Sequence, residues 1–222
     1  TNALPFSLLA WGQQQVTSSF AGVCMAVVPL LVLPLSHFLV QGERMTRAKV
    51  AGFAFGFAGV FLLVGGDSLL GDGGTEPSLF LAQIACVGAS CCYAIGSIVT
   101  RLCPPIPTQS FAAAGLLLGA AMLVPTALLF EGLPQTASLP AVAGVIYLAL
   151  FPTAAATILL TVLIKRAGPP FLSLVNYQVP IWAVIIGAVV LLEPLPGHFL
   201  IALMVILAGL ALSQFYDRWR HG

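Results

Sequence analysis

Long apolar stretches separated by short polar turns recur along the whole chain. A helix needs about 20 residues to cross the roughly 30 Å hydrocarbon core of a bilayer. Stretches that reach about this length occupy 17–40, 48–66, 78–101, 108–130, 141–165, 170–192 and 197–216. Residues 1–14 are apolar but too short to span, and we interpret them as the second half of a helix. The pattern therefore predicts one partial and seven complete transmembrane helices.

Composition points the same way. Hydrophobic residues make up 59% of the chain and charged residues 7%, whereas soluble domains carry about 25% charged residues. The sequence therefore predicts an integral membrane protein in contact with the lipid bilayer. The net charge of +1 and the lack of a basic stripe argue against a nucleic-acid partner. The five cysteines lie in or beside apolar stretches and are interpreted as small hydrophobic residues, so no metal site or cofactor is predicted.

One layout occurs twice. An apolar helix with an internal proline leads to a turn with a glutamate, and a second apolar helix ends in Ala-Gly. A shift of 151 residues aligns the prolines, and a shift of 150 aligns the glutamates and glycines. The matching pairs are Pro29 and Pro180, Glu43 and Glu193, Ala58 and Ala208, and Gly59 and Gly209. We interpret the layout as an internal repeat.

The charged turns alternate between the two sides of the membrane. Given the predicted helices, every Lys and Arg falls on one side: Arg44, Arg47, Lys49, Arg101, Lys165, Arg166, Arg218 and Arg220. The acidic residues of the other side are Asp67, Asp72, Glu76, Glu131 and Glu193. Because basic residues stay on the cytoplasmic side, this distribution predicts a multi-pass protein of a bacterial inner membrane with a cytoplasmic C-terminus.

The two copies of the repeat have opposite orientations. The turn with Glu43 falls on the cytoplasmic side and the turn with Glu193 on the outer side, which predicts an inverted repeat. Pro180 follows about 100 residues of its repeat, whereas Pro29 has only 28 residues before it. About 70 further residues are therefore expected upstream, in a parent protein of ten helices.

The predicted fold is all-α: a polytopic membrane protein with two inverted five-helix repeats, the first truncated here to about two and a half helices. The predicted division gives residues 1–66 to the first repeat, 67–77 to an inter-repeat loop, 78–217 to the second repeat and 218–222 to a cytoplasmic tail.

A family resemblance rests on the same residues. Its motifs are Val28-Pro29-Leu30-Leu31, Gln41-Gly42-Glu43-Arg44 and Ala58-Gly59-Val60, echoed by Val179-Pro180-Ile181, Leu192-Glu193 and Ala208-Gly209-Leu210. They resemble the drug/metabolite transporter superfamily in its EamA-type ten-helix branch. The resemblance implies transport of small metabolites through a central cavity between the repeats, without covalent chemistry and so without an enzymatic activity. Pro194 follows Glu193 where Arg44 follows Glu43, so a role for that arginine is not carried over.

Polar residues precede the proline of the second copy. Pro180 lacks a backbone N–H, so a carbonyl near Asn176 loses its helical partner. Asn176, Tyr177 and Gln178 are costly at membrane depth unless they face a cavity or another helix. We predict that they contact the substrate and that Pro29 and Pro180 kink or hinge their helices. The alternative is that the polar side chains hydrogen-bond between helices and Pro180 only sets a bend.

Two more helices and a tryptophan two residues after Pro180 offer candidate substrate contacts. Thr153 and Thr157 share one helical face, as do Tyr93 and Ser97, and Trp182 offers a flat apolar surface. Packing inside the membrane is the alternative interpretation for all five.

Glu43 and Glu193 each stand at a turn that opens a helix, where a carboxylate favours the positive end of the dipole, and are interpreted as structural.

The predicted function is export of neutral or aromatic amino acids by alternating access. No charged residue lies in the middle of a predicted span, and a sugar nucleotide would need Arg or Lys for its phosphates. The alternatives are efflux of drugs or lipophilic cations, transport of another metabolite such as a nucleoside, and, in other classes, a membrane enzyme or a pore. Paired glycines are compatible with a homodimer and equally with internal packing.

Overall fold

The computed structural model describes residues 3–70, 76–104, 106–130, 132, 138–155, 159 and 169–221, and side chains outside 66–70, 108, 169–177 and 214–221. The chain divides into two units, one formed by residues 3–103 together with 175–222 and the other by residues 104–174.

Helices form nearly all of the described part of the first unit. They are α1 Ala3–Gly12, α2 Ser18–Met25, α3 Val27–Leu39, α4 Arg47–Leu70, α5 Pro77–Leu102 and α9 Gly197–His221, with α8 Pro169–Val189 entering the unit at Val175. The second unit contains α6 Thr108–Phe130 and α7 Leu139–Leu148, and α7 continues as a π-helical segment, Ala149–Ala155. The predicted all-α class is confirmed.

Local sequence signals set several helix starts. Thr17 stands just before α2, and its hydroxyl accepts a hydrogen bond from the Phe20 amide at 3.2 Å. Ser138 does the same for α7, accepting from the Ala141 amide at 3.4 Å. Both are N-caps, which satisfy amides that have no partner inside the first turn of a helix. Pro77 opens α5, a position at which a missing N–H costs nothing.

The predicted span 17–40 is broken into α2 and α3 at Ala26. The prolyl nitrogen of Pro29 cannot donate to the carbonyl four residues earlier, that of Met25, and α2 ends at Met25. The interruption therefore lies three residues before Pro29, and Pro29 itself belongs to the first turn of α3. Pro180, in contrast, lies inside α8.

The core of the first unit lies between α2, α3, α4, α5 and α9. Val23, Cys24 and Ala26 at the break between α2 and α3 are fully buried. Leu63 of α4 and Ile206 of α9 belong to the same buried cluster. The interruption of the helix is thus buried in the core of this unit.

The last helices of the two predicted repeats, α4 and α9, cross at glycines. A methyl group placed on Gly209 would lie 2.5 Å from the backbone nitrogen of Gly56 and 2.6 Å from the carbonyl oxygen of Gly52. A methyl group on Gly52 would lie 2.5 Å from the carbonyl oxygen of Gly209. Only hydrogen fits at these positions, so the two backbones touch. Helices in lipid associate through close backbone contacts of this kind, because the hydrophobic effect does not drive them together there.

In the part of the chain that the structure describes, four helical segments are long and apolar enough to cross a bilayer: Ser18–Leu39, Arg47–Gly65, Pro77–Leu102 and Gln109–Phe130. Within the described residues, the other predicted spans contain shorter apolar helices, Leu139–Ala155, Gln178–Val189 and Gly197–Ser213. The total of seven complete spans stays a prediction. Helix α4 runs to Leu70, four residues into the predicted inter-repeat loop 67–77, and the division into domains also stays a prediction.

Candidate functional site

A buried hydroxyl supports the break between α2 and α3. The side chain of Ser90, on α5, is fully buried and donates to the carbonyl oxygen of Cys24 at 2.8 Å. It also lies 3.3 Å from the carbonyl oxygen of Cys86, one turn earlier on its own helix. Cys24 is in the last turn of α2, where carbonyls lose their regular partners because the helix ends. Ser90 is therefore a packing residue that binds α5 to the interrupted helix.

The predicted residues of α5 lie on the side of α1. Tyr93 is half-buried, and its ring meets the ring of Phe6 edge-on, with centroids 6.3 Å apart. Ser97 is exposed and donates to the carbonyl oxygen of Tyr93 at 2.9 Å, a bond within its own helix. The partner of Tyr93 on α1 is a contact that sequence analysis missed.

The predicted residues of α8 share an exposed face. Gln178 and Trp182 lie four positions apart, one above the other on a helix, and Trp182 is 56% exposed. Pro180, between them, is fully buried. The side chains of Asn176 and Tyr177 lie outside the described residues. Substrate contact by this face stays a prediction.

Thr153 belongs to the second unit. Its hydroxyl donates to the carbonyl oxygen of Leu148 at 2.9 Å, within the π-helical segment. Pro152 has no N–H and interrupts the ladder there, so the threonine supplies a donor to a carbonyl at the interruption. Thr157 lies outside the described residues. Among the described contacts, Tyr93 and Ser97 are the only predicted substrate residues that touch each other.

A carboxylate from the far end of the chain holds the start of α2. Glu193 accepts hydrogen bonds from the backbone amides of Ser18 at 2.7 Å and Ser19 at 2.9 Å, and from the Ser19 hydroxyl at 2.5 Å. We call this arrangement the Glu193 cap. Burial raises the pKa of Glu193, but the hydrogen bonds from Ser19 and Ser18 outweigh it and hold the pKa below the ordinary glutamate value. The sequence predicted that Glu193 serves the helix it precedes, and the structure places it on a different helix.

Glu43, the counterpart of Glu193, makes ion pairs instead. Its carboxylate lies 2.6 Å from a guanidinium nitrogen of Arg101, at the end of α5, and 3.8 Å from the ammonium group of Lys49. The backbone of the two turns nevertheless agrees, because Gly42 and Leu192, which precede the glutamates, both have a positive φ, +87° and +54°. A positive φ is uncommon for leucine, so its presence at the position that matches Gly42 supports the correspondence of the two turns.

The residues that match the capped serines of α2 are prolines. Under the shift of 151 residues, Ser18 and Ser19 correspond to Pro169 and Pro170. Prolines have no backbone N–H, so these two positions lack the donors that Ser18 and Ser19 provide at the start of α2. Glu43 pairs with two cations instead. The two matching turns are thus held by different chemistry, one by a helix cap and one by ion pairs.

These features define a helical membrane protein, the class to which transporters belong. The EamA-like transporter family matches residues 1–65 and 80–215, and the chain belongs to that family. It is 28% identical over 175 residues to an uncharacterized inner membrane transporter, YedA of Escherichia coli K12, covering 78% of this chain and 54% of the relative. The chain thus spans about half the length of that relative.

Two more relatives and one solved structure resemble nearly the whole chain. An uncharacterized transporter, YoaV of Bacillus subtilis, is 22% identical over 94% of this chain and 70% of its own length. Protein PecM of Dickeya dadantii is 24% identical over 94% of this chain and 69% of its own length. A crystal structure with 23% sequence identity matches 98% of this chain and 74% of its own chain at a TM-score of 0.63, which supports the fold. The predicted membership of the EamA-type branch is confirmed.

Proposed function

We propose that the protein exports neutral and aromatic amino acids across the bacterial inner membrane, by alternating access between two inverted repeats. The observation that carries the proposal is the crossing of α4 and α9. Under the shift of 150 residues, Gly59 corresponds to Gly209 and Gly52 corresponds to Ala202. Methyl groups on Gly59 and Gly209 would lie 3.0 Å from the Ala202 carbonyl oxygen and 2.6 Å from the Gly52 carbonyl oxygen.

These two approaches are the same contact made twice with the repeats exchanged. A two-fold axis between the repeats produces such a pair, and inverted repeats related in this way are the basis of alternating access. The shared positive φ of Gly42 and Leu192 supports the same relation at the turns. The E. coli relative is an inner membrane transporter by name, which supports the proposed location.

The substrate class is argued from the neutral spans. The residues proposed for contact are aromatic or uncharged, as Tyr93, Gln178 and Trp182 illustrate. A lipophilic cation would be expected to use a carboxylate within a span, and Glu43 and Glu193 both lie in turns outside the spans. An amino acid is a zwitterion without net charge, and uncharged hydrogen-bonding groups suffice to hold it.

Counterflow in proteoliposomes tests the proposal. The full-length protein is reconstituted, loaded with unlabelled phenylalanine or leucine, and diluted into the labelled amino acid. We expect saturable accumulation that an excess of either amino acid abolishes. Accumulation of a labelled lipophilic cation or nucleoside without any amino-acid counterflow would overturn the substrate class.

A matched pair of variants localises the contact. Trp182→Ala removes an exposed aromatic of α8, and Phe61→Ala removes one of α4 that is exposed to a similar degree, 66%. We expect Trp182→Ala to raise KM for phenylalanine more than for alanine and Phe61→Ala to leave both unchanged. Equal effects of the two variants would remove Trp182 from the proposed site.

A homodimer also remains a proposal, and it has to use faces other than the glycines of α4. Gly52 and Gly56 pack within this chain, against Gly209 and Leu30. Gly52 and Gly56 thus serve packing within the chain.

A further inference from the structure

A cavity of about 210 Å³ lies in the first unit where α1 ends and α2, α5 and α9 begin. Its polar wall comprises Gln15, Thr17, Gln83 and His198, and Pro194 also lines it. We call this space the Gln83 cavity. Tyr93, Ser97, Gln178 and Trp182, the predicted substrate residues of this unit whose side chains are described, are not among its described lining residues.

Gln83 has an unmet hydrogen bond. Its side chain is only 3% exposed, and its amide oxygen finds no hydrogen-bond partner among the described residues. A buried carbonyl oxygen without a donor is costly, and such groups in native proteins are normally paired with protein, water or ligand. Because Gln83 lines the cavity, a molecule in the cavity can supply the missing donor.

Aromatic rings and a carboxylate in the surroundings favour a positively charged donor. Two aromatic rings, Phe20 and Phe199, line the same cavity, and aromatic faces attract cations. Among the described lining residues there is no Lys or Arg. The Glu193 carboxylate adds negative charge close by, since Pro194 follows it directly and Thr17 directly precedes Ser18, whose amide it binds.

We propose that the Gln83 cavity binds a primary ammonium group, with the amide oxygen of Gln83 as a direct acceptor and the phenylalanine rings beside the cation. The volume suits a small amine with a short apolar chain and not a large drug. This binding does not depend on which solute is transported, so the proposal stands apart from amino-acid export. If the export proposal holds as well, the cavity is a second place on the protein where an amino group can be held.

Calorimetric titration of the purified full-length protein with n-butylammonium tests the site. We expect saturable binding, with little binding of n-butanol, which lacks the charge, or of tetramethylammonium, which lacks an N–H. Binding of butyrate in place of butylammonium would overturn the proposal, because it would require a donor at Gln83. Equal binding of n-butanol would also overturn it.

Substitutions of Gln83 provide the internal check. Gln83→Leu should weaken butylammonium binding at least tenfold while the melting temperature of the unliganded protein stays unchanged or rises, since an unmet polar group has been removed. Gln14→Leu changes an exposed glutamine in the turn after α1 that does not line the cavity, and should bind as the parent does.

Gln83→Glu keeps the shape and adds charge, so it should bind butylammonium more tightly, even if the leucine variant fails to fold. Parent-like affinity in the folded leucine variant, or no gain in the glutamate variant, would contradict the assignment. If the full-length parent binds butylammonium as expected but shows no amino-acid counterflow, the result counts against the export proposal alone.

Discussion

Removing the carboxylate of Glu193 should loosen the first unit by a predictable amount. The change Glu193→Ala deletes the acceptor of two backbone amides and one hydroxyl at the start of α2. A buried hydrogen bond to a charged group contributes roughly 1.5–3 kcal/mol, but Glu193 is partly exposed and water replaces part of each bond. Counting each backbone bond at the value of an ordinary N-cap, about 1 kcal/mol, gives a cost of about 2 kcal/mol.

Buried thiols supply the assay. Cys24 and Cys86 are free and fully buried, so a thiol reagent reaches them only when the unit opens. The partly exposed Cys91, Cys92 and Cys103 are first replaced by alanine. A loss of about 2 kcal/mol corresponds to about 30-fold faster labelling of the two buried thiols when opening is at equilibrium.

Glu76→Ala is the matched control. Glu76 is an exposed glutamate at the N-cap position of α5, and its side chain makes no capping hydrogen bond. Its removal should change stability by less than about 0.5 kcal/mol. If Glu193→Ala is labelled no faster than Glu76→Ala, the Glu193 cap does not stabilise the unit and the reasoning fails.

Three further predictions concern the Glu193 cap, the crossing of α4 and α9, and the Ser90 hydroxyl. The pKa of Glu193 is lowered in the folded protein. The stability that its carboxylate contributes is therefore complete above the ordinary glutamate pKa of 4.5 and is lost as the pH falls below it. Between pH 6 and pH 3 the parent should lose more stability than Glu193→Gln. In a denaturant titration, Gly209→Ala should lower the free energy of unfolding by about 1–3 kcal/mol, because the added methyl group meets the backbone of α4. Gly144→Ala, which has open space around it, should not lower it. Ser90→Ala should cost about 0.6–1.7 kcal/mol by leaving the Cys24 carbonyl short of a donor, whereas the exposed Ser97→Ala should be nearly neutral by thermal melting.

The helices were predictable because their signal is the length of an apolar run. Their interruptions were less so. A proline removes an N–H at its own position but frees a carbonyl four residues earlier, so the break associated with Pro29 occurs at Ala26. The sequence marks the proline, while the packing around Cys24 and Ser90 decides where the helix ends.

Long-range polar contacts could not be predicted from local patterns. A glutamate before a helix suggests service to that helix, but Glu193 binds amides 174 and 175 positions away. The glycines of α4 indicated a close helix contact, without naming α9 as the partner. Gln83 left a usable signal that was overlooked, since an amide inside an apolar stretch needs a partner at membrane depth.

We propose that the turns of Glu43 and Glu193 face opposite sides of the membrane, as inverted repeats require. Arg44→Cys and Pro194→Cys, each placed alone in a cysteine-free background of the full-length protein, test it with a membrane-impermeant thiol reagent. We expect Pro194→Cys to be labelled in spheroplasts and Arg44→Cys only in inverted membrane vesicles. Labelling of both positions from the same side would contradict the inverted repeat, and alternating access between the two halves with it.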